Sequence, residues 1–458
     1  MQKKLQNLMS LSKADYCDIR VEDTEITRIS YRGRELEKME RKIQFGGCIR
    51  TLIGSGWGFI SFNSLDNLEE KLRQAEDQAR TINRVKKGQV QLASAPAIIA
   101  EKKNDWGEDP RRISLKEKLE LMQHYNNLIL NTDSRVNSSR IVYFDHHTDW
   151  FFASSSGTYI YQEKGDIGGN LGAWASSGQE RTYDAVTFGS NNDFSVARGH
   201  DEQVVAAARR AVEQLQAPTV RGGQYPVILD PEMAGLFVHE AFGHLSEADE
   251  IFDDKNLLQL MQPGTRYGPS FLNIYDSGRE WGNRGASHYD DEGLPTQKTY
   301  LIQNGEVIGH LHSRESAARM ETEPTGSARA LDYRFPPICR MRTTCIEPGL
   351  DTLEDMISGI DYGLYAIGGL GGETNGELFT FTATRGQMIR KGKLAEPVKN
   401  VTLTGNVFHT LNNIDSIGQD FAILNNAGGC GKFEQSPLPT SEGSPHIRVQ
   451  NVIVGGEG

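Results

Sequence analysis

The sequence predicts an α+β protein: a small N-terminal α/β unit, a middle unit with helices on an antiparallel sheet, and a large sheet-rich C-terminal unit. Three observations predict it. At 458 residues the chain has room for two or three domains. In its first half, runs of β-branched and aromatic residues with period two alternate with helical patterns. Its second half is rich in strand-like runs and glycine turns, within a total of 48 Gly and 16 Pro.

The first unit is expected over residues 1–85. Residues 16–21 and 24–31 alternate like strands, and 45–62 reads as a hairpin turning near Gly54-Ser55-Gly56. A helix follows from Ser64 or Asp66. Residues 85–109 are polar, bear Lys86, Lys87 and Pro96, and read as a connector.

The middle unit is expected over 110–217. Ser114 and Glu117 form a capping-box pattern before the helical run LKEKLELMQHYNNLIL. Residues 140–144, 149–154 and 157–164 read as strands, and 201–215 as a second helix ending before Ala217-Pro218. The C-terminal unit, 221–458, carries hairpin signals at Asn304-Gly305, Asn375-Gly376 and Lys391-Gly392.

That last unit opens with YPVILDPEMAGLFVHEAFGHLSEADE, a buried strand, a turn and an apolar helix bearing His239, Glu240 and His244. Two histidines flanking a glutamate can hold a metal ion beside a general base. The spacing, however, is H-E-x-x-x-H. On a regular helix a gap of five residues separates two side chains by about 140°, against about 40° for a gap of four. The histidines meet only if the helix is irregular near Gly243, for instance through a one-residue π-bulge. The competing reading is a hydrogen-bonded core cluster. A buried His-Glu-His without partners is costly, and a metal satisfies all three residues.

A catalytic zinc site needs a third protein ligand. Glu247, Asp249, His288, His446 and Cys430 are the candidates. Cys430 lies in the glycine-rich run NNAGGCGKFEQSP, where a thiol can approach a metal; its plain reading is a small residue in a tight turn.

Composition excludes other classes. The net charge is −12 and no Lys/Arg block forms a patch, which disfavours nucleic-acid binding. No run approaches 18 apolar residues, so no membrane helix is expected. The N-terminus has early lysines but no long apolar core, so no secretory signal is expected. Five scattered cysteines fit free thiols in a reducing compartment.

Over nearly its whole length the chain resembles the TldD/PmbA family of metallopeptidases (also called modulators of DNA gyrase), on the TldD side. The segments that carry the resemblance are VHEAFGHLSEAD (238–249), YDDEGLPTQ (289–297), EPTGSAR (323–329), 376–406 and GGCGKFEQSPLPTSEGSPHIRVQNVIVGG (428–456). The resemblance implies a cytoplasmic, Zn²⁺-dependent protease whose C-terminal unit is the metallopeptidase domain. It implies that His239, His244 and Cys430 are metal ligands and that Glu240 is the catalytic glutamate. It implies unfolded, extended or leader-type peptides as substrates in an enclosed site. It also implies a homodimer, or a heterodimer with a PmbA-type partner. One position departs from the family pattern: Glu434 stands where a glycine is expected before Gln435.

Four further expectations follow. Asp290, Asp291 and Glu292 read as a solvated acidic turn, with ordering of a loop near the site or binding of a peptide amine as the alternatives. Arg329 is a candidate contact for a substrate carbonyl or carboxylate. Residues 377–387 offer either a sheet edge for β-addition of a peptide or an internal strand. The alternative to catalysis is a non-catalytic peptide-binding or scaffolding subunit with a structural, four-ligand metal. Direct action on a DNA enzyme is a third idea, which the acidic chain argues against.

Overall fold

The computed structural model describes residues 1–455. Its architecture is α+β, as the patterning predicts. The first half builds one seven-stranded sheet from β1 (Tyr16–Arg32), β2 (Glu35–Ile53), β3 (Gly56–Phe62), β4 (Ile99–Lys102), β5 (Val136–Ser154), β6 (Tyr159–Ser177) and β7 (Glu180–Ser190). The order is β3-β2-β1-β5-β6-β4, with β7 also on β6. Because β1 pairs with β2 on one side and with β5 on the other, the N-terminal and middle segments share this sheet. The stretches read as separate strands at 16–21 and 24–31 are one strand, as are those at 140–144 and 149–154. The connector supplies β4, which runs parallel to β6.

Strand alternation gives the sheet two different faces. Odd-numbered residues of β1 (Cys17, Ile19, Val21, Ile29, Tyr31) pack under helices. At one end these are α1 (Gln2–Ser10) and α2 (Leu68–Val85), through Leu5, Leu8, Leu72 and Ala75. At the other they are α3 (Leu115–Leu130) and α4 (Asp201–Gln214), through Met122, Tyr125, Val204 and Ala208. Ser114 caps α3 by accepting from Glu117 N–H at 3.1 Å. The even-numbered side turns toward the C-terminal unit. Arg20 reaches across to donate to the carbonyls of Asp332 and Phe335 at 2.8 and 2.9 Å. A Cβ on Gly46 would fall 2.2 Å from the Tyr333 ring, so only glycine admits this close approach.

The C-terminal unit holds two larger sheets around one core. Strand β8 (Gly223–Leu229) lies between Tyr362–Asn375, parallel, and Ile447–Gly455, antiparallel. A second sheet includes Ile274–Ser277, Thr343–Ile346 and Ser441–Ser444. Helix α5 (Pro231–Val238) is wedged in the core, and its Met233, Phe237 and Val238 join side chains of both sheets. Asp230 caps it by accepting from Met233 N–H at 2.9 Å, and Pro231 sits in its first turn, where no N–H is needed. All three predicted hairpins are present, with Asn304, Gly305, Gly376, Lys391 and Gly392 at positive φ.

The two readings left open for residues 377–387 are decided here. Leu378–Arg390 pairs with Tyr362–Asn375 on one side and with Lys393–Val398 and Thr402–Asn406 on the other. It is an internal strand and offers no free edge.

Candidate metal centre

Helix α5 gives way at His239 to a π-helical turn, His239–Gly243, followed by a 3₁₀ turn, His244–Ser246. This is the irregularity that the five-residue spacing requires. It brings the two imidazole rings to 5.4 Å, nearly perpendicular at 87°. Gly243 is needed for packing as well: a Cβ there would lie 2.0 Å from the sulfur of buried Met341.

Cys430 begins the short hairpin Cys430–Lys432 and Gln435–Leu438. Its Sγ lies 3.1 Å from His244 Nε2, although 186 residues separate them. One ligand atom each from His239, His244 and Cys430 fall within 4.8 Å of one another. Glu240 Oε2 lies 3.8 Å from His244 Nε2, half-buried beside the cluster.

The thiol and the two imidazoles shift one another's titration in opposite directions. Burial favours a neutral Cys430, but His239 and then His244 bring its thiol down to about 5. Burial likewise opposes a charge on His239, but Cys430 and Glu442 raise it to about 9. His239 Nδ1 is buried with no hydrogen-bond partner, 3.7 Å from Glu442. Two imidazoles and a thiolate that converge within 4.8 Å fit zinc chemistry. Among the described residues no fourth His, Cys, Asp or Glu joins this group.

The other candidate ligands have different partners. Glu247 is buried and accepts from His244 Nδ1 at 3.1 Å. Burial would raise it, but His244, Lys432 and Arg340 hold it down at about 2. It therefore orients the imidazole as a charged carboxylate. Asp249 accepts from Lys432 Nζ at 2.6 Å and from Cys339 N–H at 3.0 Å. His446 is bonded to Asp420 and, at 2.8 Å, to Tyr365. His288 packs on the Trp281 ring at 4.4 Å. Glu434 is exposed in the turn of the Cys430 hairpin.

The acidic run is not a solvated turn. Asp290, Asp291 and Glu292 are 0%, 7% and 7% exposed. Asp290 accepts backbone N–H groups from Glu292, Leu294 and Ala328. Asp291 binds Lys164 Nζ at 3.0 Å, with Arg20 Nη1 at 3.7 Å. Glu292 lies 3.6 Å from Arg50, which is paired with Asp18 at 2.6 Å. The run therefore stitches the C-terminal unit to the N-terminal sheet. Arg329 is buried and donates to the carbonyls of Met341 and Pro439.

A cavity of about 440 Å³ opens on the cluster, lined by His239, Glu240 and Cys430 together with Glu232, Arg140 and Glu442. These last three carry no spacing signal and were not legible as site residues. Burial and then Asp230 raise the Glu232 carboxyl to about 7. A larger cavity of about 860 Å³ adjoins it, and Arg140, Val142, Ala427 and Gly428 line both.

A second trio, His147, Asp149 and Glu163, also clusters. Its atoms already have partners. Arg111 Nη1 is 3.0 Å from His147 Nε2, and the Tyr161 hydroxyl lies 2.8 and 3.2 Å from Asp149 and Glu163.

Known proteins agree with this architecture. The family model for the PmbA/TldA metallopeptidase C-terminal domain matches residues 222–456, and those for domain 1 and the central domain match 17–79 and 108–217. The metalloprotease slr0863 of Synechocystis is 42% identical, over 97% of this chain and 96% of its own. A zinc metalloprotease TldD homolog of Saccharolobus solfataricus is 38% identical over 54% of this chain and 55% of its own. The crystal structure of TldE from Thermococcus kodakarensis shares the fold, with a TM-score of 0.76 at 19% identity, covering 99% of this chain and all (100%) of that one. Fold and relatives together define a metallopeptidase with three matched segments. The chain belongs to the PmbA/TldD family.

Proposed function

We propose that this chain hydrolyses peptide bonds in unfolded or extended peptides, with His239, His244 and Cys430 holding Zn²⁺ and Glu240 acting as general base. The observation that carries the reading is the convergence of the two imidazoles and the thiol within 4.8 Å, with Glu240 beside them on a cavity. Zinc, when bound, supplies Lewis acidity and lowers the pKa of water toward neutrality.

The protein's own residues do the rest. Glu240 takes a proton from the attacking water and delivers it to the leaving amine. Glu247 fixes the His244 ring through Nδ1. Glu442 lies beside His239 Nδ1 and favours a proton there. We propose that the chain works with a second family chain, either a copy of itself or a PmbA-type partner.

The alternative, a structural metal in a non-catalytic binding subunit, calls for a closed four-ligand site. The three-residue group favours catalysis. The test is a pair of variants. Glu240→Gln should retain zinc and peptide affinity and lose cleavage. Cys430→Ala should lose zinc and, with it, chelator-sensitive cleavage of an unfolded peptide. Normal turnover in zinc-loaded Glu240→Gln refutes the role of Glu240; full zinc occupancy in Cys430→Ala refutes the ligand set.

A further inference from the structure

The larger cavity is walled on one side by the even-numbered face of β1 and β5, which presents Arg28 and Arg140. On the other side stand Arg329 and Arg342, 7% and 4% exposed. Six lining cations have a carboxylate partner: Lys164 pairs with Asp291 at 3.0 Å and Arg284 with Asp166 at 2.6 Å, while Arg32, Lys38, Lys42 and Arg334 pair with Glu37, Glu40 and Asp332. Arg28, Arg140, Arg329 and Arg342 form no ion pair among the described residues. Arg329 donates only to two backbone carbonyls. Arg342 makes two long contacts with the carbonyls of Gly326 and Gly285, at 3.4 and 3.5 Å.

A buried guanidinium without a carboxylate is expensive. Here two of them sit near each other. Burial, followed by repulsion from Arg342 and Arg340, pulls Arg329 down to about 9. Arg342 is drawn to Asp290, Asp291 and Asp276 without touching any of them as an ion pair. Asp290 and Asp276 accept backbone N–H groups, and Asp291 holds Lys164. The wall therefore presents four guanidiniums without a direct ion pair, and it faces a space of peptide-binding size, about 860 Å³. Arg140 lines this space and the cavity of the metal cluster alike.

We propose that this chamber is a carboxylate-binding subsite: Arg329, Arg342 and Arg140 receive a carboxylate of the peptide whose scissile bond lies at the neighbouring cluster. The planar fork of arginine matches a carboxylate in two-point contact. The carboxylate comes from the peptide's C-terminus or from an acidic side chain. The inference rests on the peptide-hydrolase reading and names the charge its substrates carry.

The experiment measures binding apart from turnover. A fluorescent peptide is made in four forms: with a free or an amidated C-terminus, each with an internal Glu or Gln. Each is titrated by anisotropy onto zinc-loaded Glu240→Gln protein, alone and combined with Arg140→Gln or Arg342→Gln. The doubly neutral peptide should bind about tenfold or more weakly than the doubly acidic one, and this preference should shrink in the arginine variants. Arg140 is exposed, so its variant decides the matter if Arg342→Gln does not fold. Whichever single neutralisation removes the preference identifies the source of the carboxylate. Equal affinity for all four peptides overturns the subsite, and so does a preference that survives in both arginine variants. Charge-selective binding by a wild-type protein that cleaves nothing sinks the hydrolase reading and leaves the subsite standing. Cleavage of all four peptides at equal KM does the reverse.

Discussion

Lys432 Nζ lies 3.1 Å from Glu247 Oε2, and this contact ties together the two chain segments that make the candidate centre. Glu247 accepts from His244 at 3.1 Å, and Lys432 follows Cys430 by two residues. The lysine also reaches Asp249 at 2.6 Å. Burial would discharge it, but Glu247 and Asp249 keep it charged. The hairpin bearing the thiol is thereby clamped to the turn that follows the histidines.

Lys432→Met should loosen that clamp. Glu247 would keep Arg340 at 3.7 Å, but half-buried Asp249 would lose its cation, which costs about 1–3 kcal/mol of stability. Metal affinity should fall about ten- to a hundredfold, as for loss of groups that support a ligand. Zinc competition titration and thermal unfolding of the metal-free protein measure the two effects. Unchanged zinc affinity would show that Cys430 is positioned by its glycine-rich turn alone.

Gly243→Ala tests the π turn. Alanine favours a regular helix over glycine by about 1 kcal/mol, and its Cβ would collide with Met341. Both effects work against the geometry that brings His239 and His244 together. We expect a net loss of about 1–3 kcal/mol and weaker zinc binding. A more stable protein with normal zinc affinity would mean that the histidines do not depend on the irregular helix.

The need for an irregular helix was legible, because five-residue spacing and 3.6-residue periodicity cannot both hold for two side chains on one site. Caps and tight turns were legible for the same local reason: Ser114, Asn304-Gly305 and Lys391-Gly392 specify their geometry within four residues. The burial of Asp291 was not, since its partner Lys164 lies 127 residues away and a charge run alone reads as solvated. The pairing of β1 with β5 was equally hidden, and with it the shared sheet that roofs the site. Whether 377–387 was an edge or an internal strand depended on neighbours that local sequence does not name. Glu232 and Arg140 became visible only through the cavity they line.

Asp291 should also govern acid stability. Burial opposes its charge, but Lys164 and Arg20 hold its carboxyl well below the usual range. A carboxyl depressed in the folded state adds stability that is present above its unfolded value, about 3.9, and is lost as pH falls below it. At pH 7, Asp291→Asn should cost about 3–5 kcal/mol, because it removes the carboxylate that Lys164 donates to, while Arg20 keeps Glu22 at 3.1 Å. Toward pH 2 the wild type loses the same contribution. Tm curves of the two chelated proteins should therefore converge as pH drops below about 4. Parallel curves would assign the stability of this junction to packing rather than charge.

The state of the substrate provides the last test. Glu240 and the thiol–imidazole cluster face a cavity of about 440 Å³. A folded domain is too large to enter it, and its backbone groups are already bonded to one another. Only a peptide bond that is extended and free of its own hydrogen bonds can lie beside Glu240. Short or unfolded peptides should therefore be cut, and compact domains should resist. Resistance should fall as a domain is destabilised by mutation, with cleavage following the population of its open form while opening and closing are fast. The measurement is the cleavage rate for a graded series of variants of one small domain, plotted against their unfolding free energies. A slope near one decade per 1.4 kcal/mol is expected, because each such step multiplies the open population tenfold. A flat plot, with the stable domain cut as fast as its unfolded variant, would mean that the centre opens to the surface and that recognition takes place outside the cavity.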